Sequence, residues 1–288
     1  MQQAWLTAWQ AYAPWPKKSQ IEQDLRLSQG VVAIFNDEIL REHLAMRGGT
    51  VLHKAHLAPA ARYSEDIDLV LVKAMDPDTL DQHLRRVLTP VLGHPSDSRI
   101  ADAWLAIRNV VRPSKILRTV YRFIPLGLRR EASIKVEVNL NESASLYPFV
   151  VVELDTLNEN GEPVRAMARS YDINEMLGTK MRALMQREQG RDLFDLAHAW
   201  QCSTAGSTPY RVDGSKTIEA FIWYLEKEST HLSADEVNAL LDARLSKASF
   251  RRDMDTLLRP GMPRFDVDAA AVTVREAYFS HLRRSPSY

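Results

Sequence analysis

Apolar positions along the chain follow two different periods, and the change comes near residue 166. Before it, two-residue alternation dominates. Ile134, Val136, Val138 and Leu140 alternate with Lys135, Glu137 and Asn139, which predicts a strand with one face in the core and Glu137 on the other. Further strands are predicted over 67–72, 104–111, 116–124 and 149–154, the second of these also compatible with a helix. Residues 19–45 instead repeat at helical spacing through Val31, Ile34, Phe35, Ile39, Leu40 and Leu44, with Gly30 as a candidate break. An amphipathic helix is predicted over 77–92, and Asn158 to Pro163 reads as a turn. After residue 166 the period is helical over 173–186, over 191–200 and on to the C-terminus. Strands early and helices late predict an α+β fold, with an α/β part over 1–165 and a helical part over 166–288.

Composition narrows the class only a little. Hydrophobic residues make up 45% and charged residues 26%, as in ordinary globular proteins. No apolar run approaches the roughly 20 residues of a membrane span, and residues 1–5 have no signal-peptide character. The single cysteine, Cys202, has no neighbouring acid–base partner and reads as a free thiol. Together these predict a cytoplasmic protein without a membrane partner. The 37 basic and 37 acidic residues cancel, but Arg108, Arg112, Lys115, Arg118, Arg122, Arg129 and Arg130 form an acid-free stretch. That stretch is either a solvated face or a phosphate-binding one.

The chemistry concentrates at Gly48-Gly49-Thr50-Val51-Leu52-His53-Lys54, followed by Arg62-Tyr63-Ser64-Glu65-Asp66-Ile67-Asp68. Asp66 and Asp68 lie two apart at the start of a strand, so both carboxylates face one way. Their mutual repulsion calls for a cation, and a divalent metal is the natural one. The glycines let backbone approach an anion, and Thr50 is the expected N-cap of a helix beginning there. Lys54, one turn on, is within reach of phosphate or simply exposed. This is the layout of nucleotidyl transfer, which needs metal, an in-line nucleophile and cationic neutralisation. Glu137 is the candidate third metal acid. On its own it reads as a surface residue on a half-exposed strand, and the Asp pair is what brings it forward. A second cluster holds Lys180, then Arg191, Asp192 and Asp195. It serves either as a phosphate lysine positioned by aspartates or as an ion network between helices.

These motifs, in this order and spacing from about residue 30 to 200, resemble the AbiEii/AbiGii nucleotidyltransferase toxins of type IV toxin–antitoxin pairs, including the mycobacterial MenT-type enzymes. The carrying segments are Gly48-Gly49-Thr50-x-Leu52-x-Lys54, Arg62 to Asp68, Lys180-x-Arg182-Ala183-Leu184 and Gly190 to Leu196. The resemblance implies a polymerase β-like nucleotidyltransferase domain with a mixed sheet. It implies an NTP substrate, magnesium, the 3′ end of tRNA as acceptor, and a winged-helix antitoxin as partner. By position, Gly48, Gly49 and Thr50 would hold triphosphate and Asp66 and Asp68 the metal. Ser64 would lie near the nucleotide, Lys180 would hold phosphate, and Arg191, Asp192 and Asp195 would complete the site. A kinase-like phosphotransferase or a non-catalytic nucleotide-binding module is the competing reading. The intact Asp66/Asp68 pair argues against the module.

Overall fold

The structure is a computed structural model that describes residues 3–107 and 110–282, with the side chains of 101–114 outside the description. The chain opens with α1 (Gln3–Trp9) and a long α2 (Lys18–Asn36). Asp37 then caps α3 (Glu38–His43), its carboxylate accepting from the Ile39 and Leu40 amides. The helical run therefore breaks at Asp37 and not at Gly30. There follow β1 (Leu44–Arg47), α4 (Gly48–Val51) running into one π-helical turn (Leu52–His56), β2 (Asp66–Leu71) and α5 (Pro77–Leu92). Next come β3 (His94–Pro95), β4 (Arg99–Ile107), β5 (Val110–Phe123), β6 (Ala132–Asn139), β7 (Val150–Leu157) and β8 (Pro163–Ser170). The strand expected over 104–111 straddles β4 and β5, with residues 108–109 outside the description.

The remainder is helical: α6 (Ile173–Gln186), α7 (Gly190–Thr204), α8 (Gly214–Lys227), α9 (Ala234–Leu245), α10 (Ala248–Arg252) and α11 (Val267–Ala277), then a 3₁₀ turn at Phe279–His281. The strands form one sheet in the order β3-β5-β6-β2-β1-β8-β7, with β4 also on β5. β2–β6 and β1–β8 run parallel and the remaining pairs antiparallel. The fold is α+β with a mixed sheet and a helical C-terminal part, as the sequence pattern predicts.

Three strands escape the sequence reading: β1, β8 and the two-residue β3. β1 is four residues, three of them fully apolar, too short to show a period. β8 does alternate, but its inward residues include Ala166, Ala168 and Ser170, which carry little hydrophobic signal. The strand pattern therefore runs on to Ser170, past residue 165. One buried cluster spans the sheet and the helices behind it, from Leu27 in α2 through Met181 in α6 to Leu282.

Gly30 has a packing role. A Cβ there would stand 3.0 Å from Leu92 Cδ2 and 3.3 Å from Ile67 Cδ1. The bare backbone thus lets α2 sit closely on both α5 and β2. Gly30→Val is expected to destabilise the protein by about 1–3 kcal/mol, the usual penalty of overpacking. A urea denaturation midpoint equal to wild type would contradict the close approach.

Candidate active site

Strand register assembles the site. On one sheet face Arg47 of β1 lies opposite Asp68 of β2. Asp68 lies opposite Glu137 of β6, and Asp66 opposite Lys135. Glu137 in turn lies opposite Arg118 of β5. Cross-strand partners share a face, so three acids and their cations form one continuous patch. Asp66, Asp68 and Glu137 line a pocket of about 150 Å³ with Ser64, Lys135 and Lys180. The structure thus brings Glu137 to the Asp pair, although they are about seventy positions apart in sequence.

The acids repel one another. Burial, then the charges of Asp66 and Glu137, raise Asp68 above the usual aspartate range, against the pull of Arg47 and Lys180. Burial also raises Asp66, with Glu137 and Glu65 adding to it and Lys135 opposing. Among the described residues, no three His, Cys, Asp or Glu side chains are gathered tightly enough to hold a metal ion. Asp66 and Glu137 instead share an ammonium: Lys135 Nζ stands 3.2 Å from Asp66 and 3.5 Å from Glu137. Arg118 Nε lies 2.6 Å from Glu137. The donor set still fits a hard divalent cation, being all carboxylate.

The Gly-Gly turn is arranged differently from the sequence expectation. α4 begins at Gly48, with Arg47 and not Thr50 at its N-cap. Gly48 has φ +84°, and a Cβ there would meet Asp68 Oδ2 at 2.2 Å, so only glycine seats that carboxylate. A Cβ on Gly49 would meet Arg62 Nη2 at 2.5 Å. Thr50 is fully buried. Its hydroxyl donates to the Asp66 carbonyl at 2.6 Å and bonds Ser64 Oγ at 2.8 Å, fixing the start of β2. Lys54 does not line the carboxylate pocket. Its ammonium lies 2.8 Å from both oxygens of buried Asp24, which also accept from Trp9 and Trp15 Nε1 at 2.7 and 3.0 Å.

Behind the pocket lies a buried charge network. Asp192 and Asp195 of α7 are fully buried and do not line the pocket; they hold the cations that do. Arg62 makes two bonds to Asp195, at 2.6 and 2.7 Å, and Lys180 lies 2.8 Å from it. Arg187 makes two bonds to Asp192, at 2.7 and 2.8 Å, with Lys180 at 3.5 Å. His53 Nε2 donates to Asp195 at 2.8 Å; burial pushes its pKa down to about 4, so it is neutral near pH 7. Burial alone would raise Asp195, but Arg62 and Lys180 outweigh it and hold the carboxyl well below its usual range. Arg191 pairs with Asp253, at 3.0 Å, and not with its motif neighbours.

Sequence reasoning left Lys135, Arg62 and Arg187 without roles. Lys135 could have been found, since it lies two positions from Glu137 and so shares its strand face. Arg62 and Arg187 flank the motifs, but nothing local says which acid each would meet.

The sequence profile described as "Nucleotidyl transferase AbiEii toxin, Type IV TA system" matches residues 31–273. The chain belongs to the AbiEii nucleotidyltransferase toxin family. It is accordingly a nucleotidyltransferase, and the matched region contains every candidate site residue. No curated protein matches the sequence. Among solved structures, the fold is similar to MenT4, a nucleotidyltransferase toxin of Mycobacterium tuberculosis, with TM-score 0.64 and 16% identity over 98% of this chain and 91% of that one. It is also similar to JHP933 of Helicobacter pylori, with TM-score 0.51 and 15% identity over 90% and 89%. A second H. pylori structure, described as a putative nucleotidyltransferase, gives 0.50 and 16% over 87% and 89%. At such identities the likeness is one of fold.

The raised Asp66 and Asp68 have a stability consequence. The folded state holds their protons more tightly than the unfolded chain, whose ordinary value is about 3.8. The pair therefore costs stability above its raised pKa, and the cost fades as pH falls toward that ordinary value. Asp68→Asn is expected to raise Tm at pH 7 and to lose that advantage near pH 4. A variant less stable than wild type at pH 7 would contradict the repulsion.

Proposed function

We propose that the protein transfers a nucleotide from an NTP to an RNA acceptor, the 3′ end of tRNA, with magnesium as cofactor, and that the modified tRNA no longer supports translation. The observation that carries this reading is a pocket in which Asp66, Asp68 and Glu137, from neighbouring strands, face Arg62, Lys180, Arg187 and Arg191. Asp66, Asp68 and Glu137 would hold magnesium, which when bound neutralises charge on the reacting phosphates. Lys180, Arg187 and Arg62 would take the triphosphate and stabilise the leaving pyrophosphate, where charge grows. Their buried aspartates keep them oriented, so little reorganisation is needed as charge develops. Gly49 leaves room beside Arg62 for phosphate to approach, and Ser64 stands at the pocket wall.

The RNA would cross the β5–β6 side of the sheet. Lys115, Arg118, Arg122, Arg129 and Arg130 are exposed there, while the side chains of Arg108 and Arg112 lie outside the description. No helix among the described residues is long and apolar enough to span a membrane. A cytoplasmic site of action and a winged-helix antitoxin partner complete the proposal, both resting on the family resemblance. The kinase-like alternative shares the pocket but moves a phosphoryl group to a protein or small molecule.

Incubation of pure protein with each NTP, labelled in turn at the α- and γ-phosphate, and bulk tRNA separates the readings. Label from the α-phosphate on the tRNA 3′ end, abolished in Asp68→Ala, is the expected result. γ-Label on protein with none on RNA would replace it with the kinase. Replacing Arg118 and Arg122 together should also shallow the log–log salt slope of tRNA binding by about 0.7 per lost phosphate contact. An unchanged slope would move the RNA off this face.

A further inference from the structure

Lys135 stands where a cation is wanted. Register fixes it opposite Asp66, two residue pairs along from Asp68 and Glu137 and so on the same face. Its ammonium is within 3.2 Å of Asp66 and 3.5 Å of Glu137, the outer two of the three acids. The side chain is 36% exposed, so it has room to leave. Asp68 is held differently, in the cradle of Gly48. Arg118, on the far side of Glu137, supplies a second cation and is itself 44% exposed.

Four carboxylates line the pocket, Glu65, Asp66, Asp68 and Glu137, against five cations, Arg62, Lys135, Lys180, Arg187 and Arg191, so the lining carries no excess of negative charge. Such a site attracts a free divalent ion weakly. A nucleoside triphosphate changes that balance, because its phosphates offer Lys135 an alternative partner and offer the metal additional oxygens. A lysine suits the exchange: it is a compact point charge on a flexible four-carbon stem.

We propose that Lys135 is a tethered counter-ion that occupies the metal position between Asp66 and Glu137, and that a metal–nucleotide complex displaces it, moving its ammonium from carboxylate to phosphate. Free metal therefore binds weakly, metal and nucleotide bind with positive coupling, and the three acids are never left unneutralised. The inference rests on the reading of Asp66, Asp68 and Glu137 as the metal acids.

The test is Mn²⁺ binding followed by electron paramagnetic resonance, in wild type, Lys135→Met, and each combined with Asp68→Asn. Without nucleotide, Lys135→Met is expected to bind Mn²⁺ at least about tenfold more tightly than wild type, since one competing charge is gone. Adding a non-hydrolysable NTP should tighten Mn²⁺ binding strongly in wild type and by a smaller factor in Lys135→Met. Asp68→Asn should weaken binding in both backgrounds. Equal or weaker Mn²⁺ affinity in Lys135→Met, with binding still sensitive to Asp68→Asn, would overturn the counter-ion role alone. Binding insensitive to Asp68→Asn would overturn the metal-site reading beneath it.

Discussion

The structure depends on Asp195. This fully buried carboxylate of α7 receives Arg62 from the segment before β2, His53 from the π-helical turn and Lys180 from α6. These three elements come from the two ends of the motif-bearing region, and this carboxylate ties them to one point. Two buried cations of full charge face it, each of which would be costly to leave without a partner. The network therefore does not add much net stability over an apolar core of the same shape. What it does is fix orientation: Arg62 and Lys180 reach the pocket with their charges already aimed, and the helical part is locked to the sheet in the one arrangement that satisfies all of them.

Two populations of carboxylate follow from this. Two that hold the fold sit lower than usual because cations enclose them. Asp195 is one. Glu142 is another: burial works against it, but Arg47 and Arg182 bring it down to about 2. Those that face the pocket, Asp66 and Asp68, are raised by burial first and then by the acids around them. The same strand register produces both, since Arg47 is opposite Asp68 yet is bound to Glu142. Crowded acids at a pocket mouth cost stability and serve chemistry.

The sequence carried the part of this that is local. Alternation in β6 placed Glu137 on a polar face, the two-residue spacing of Asp66 and Asp68 put both on one side, and helical period marked α5, α6 and α7. What it did not carry depends on pairing between distant segments. That Lys135 meets Asp66, that Arg62 meets Asp195 and that Lys54 turns to Asp24 are consequences of register and of the π turn at Leu52–His56, which redirects the side chains after the Gly-Gly turn. β1 was illegible because four residues, three of them apolar, show no period, and β8 because alanines and a serine fill its inner face. Thr50 looked like a cap because of its type and place, yet Gly48 already starts the helix and the hydroxyl is spent on β2.

The direct test of this account is urea unfolding of Asp195→Asn, a change that keeps shape and removes charge, beside Arg191→Ala, which breaks the partly exposed pair with Asp253. The account predicts a loss of about 3–5 kcal/mol for Asp195→Asn, as expected when buried cations lose their partner, against about 1 kcal/mol or less for Arg191→Ala. Equal, small losses in the two variants would mean that Asp195 does not hold the sheet, the π turn and the helical part together.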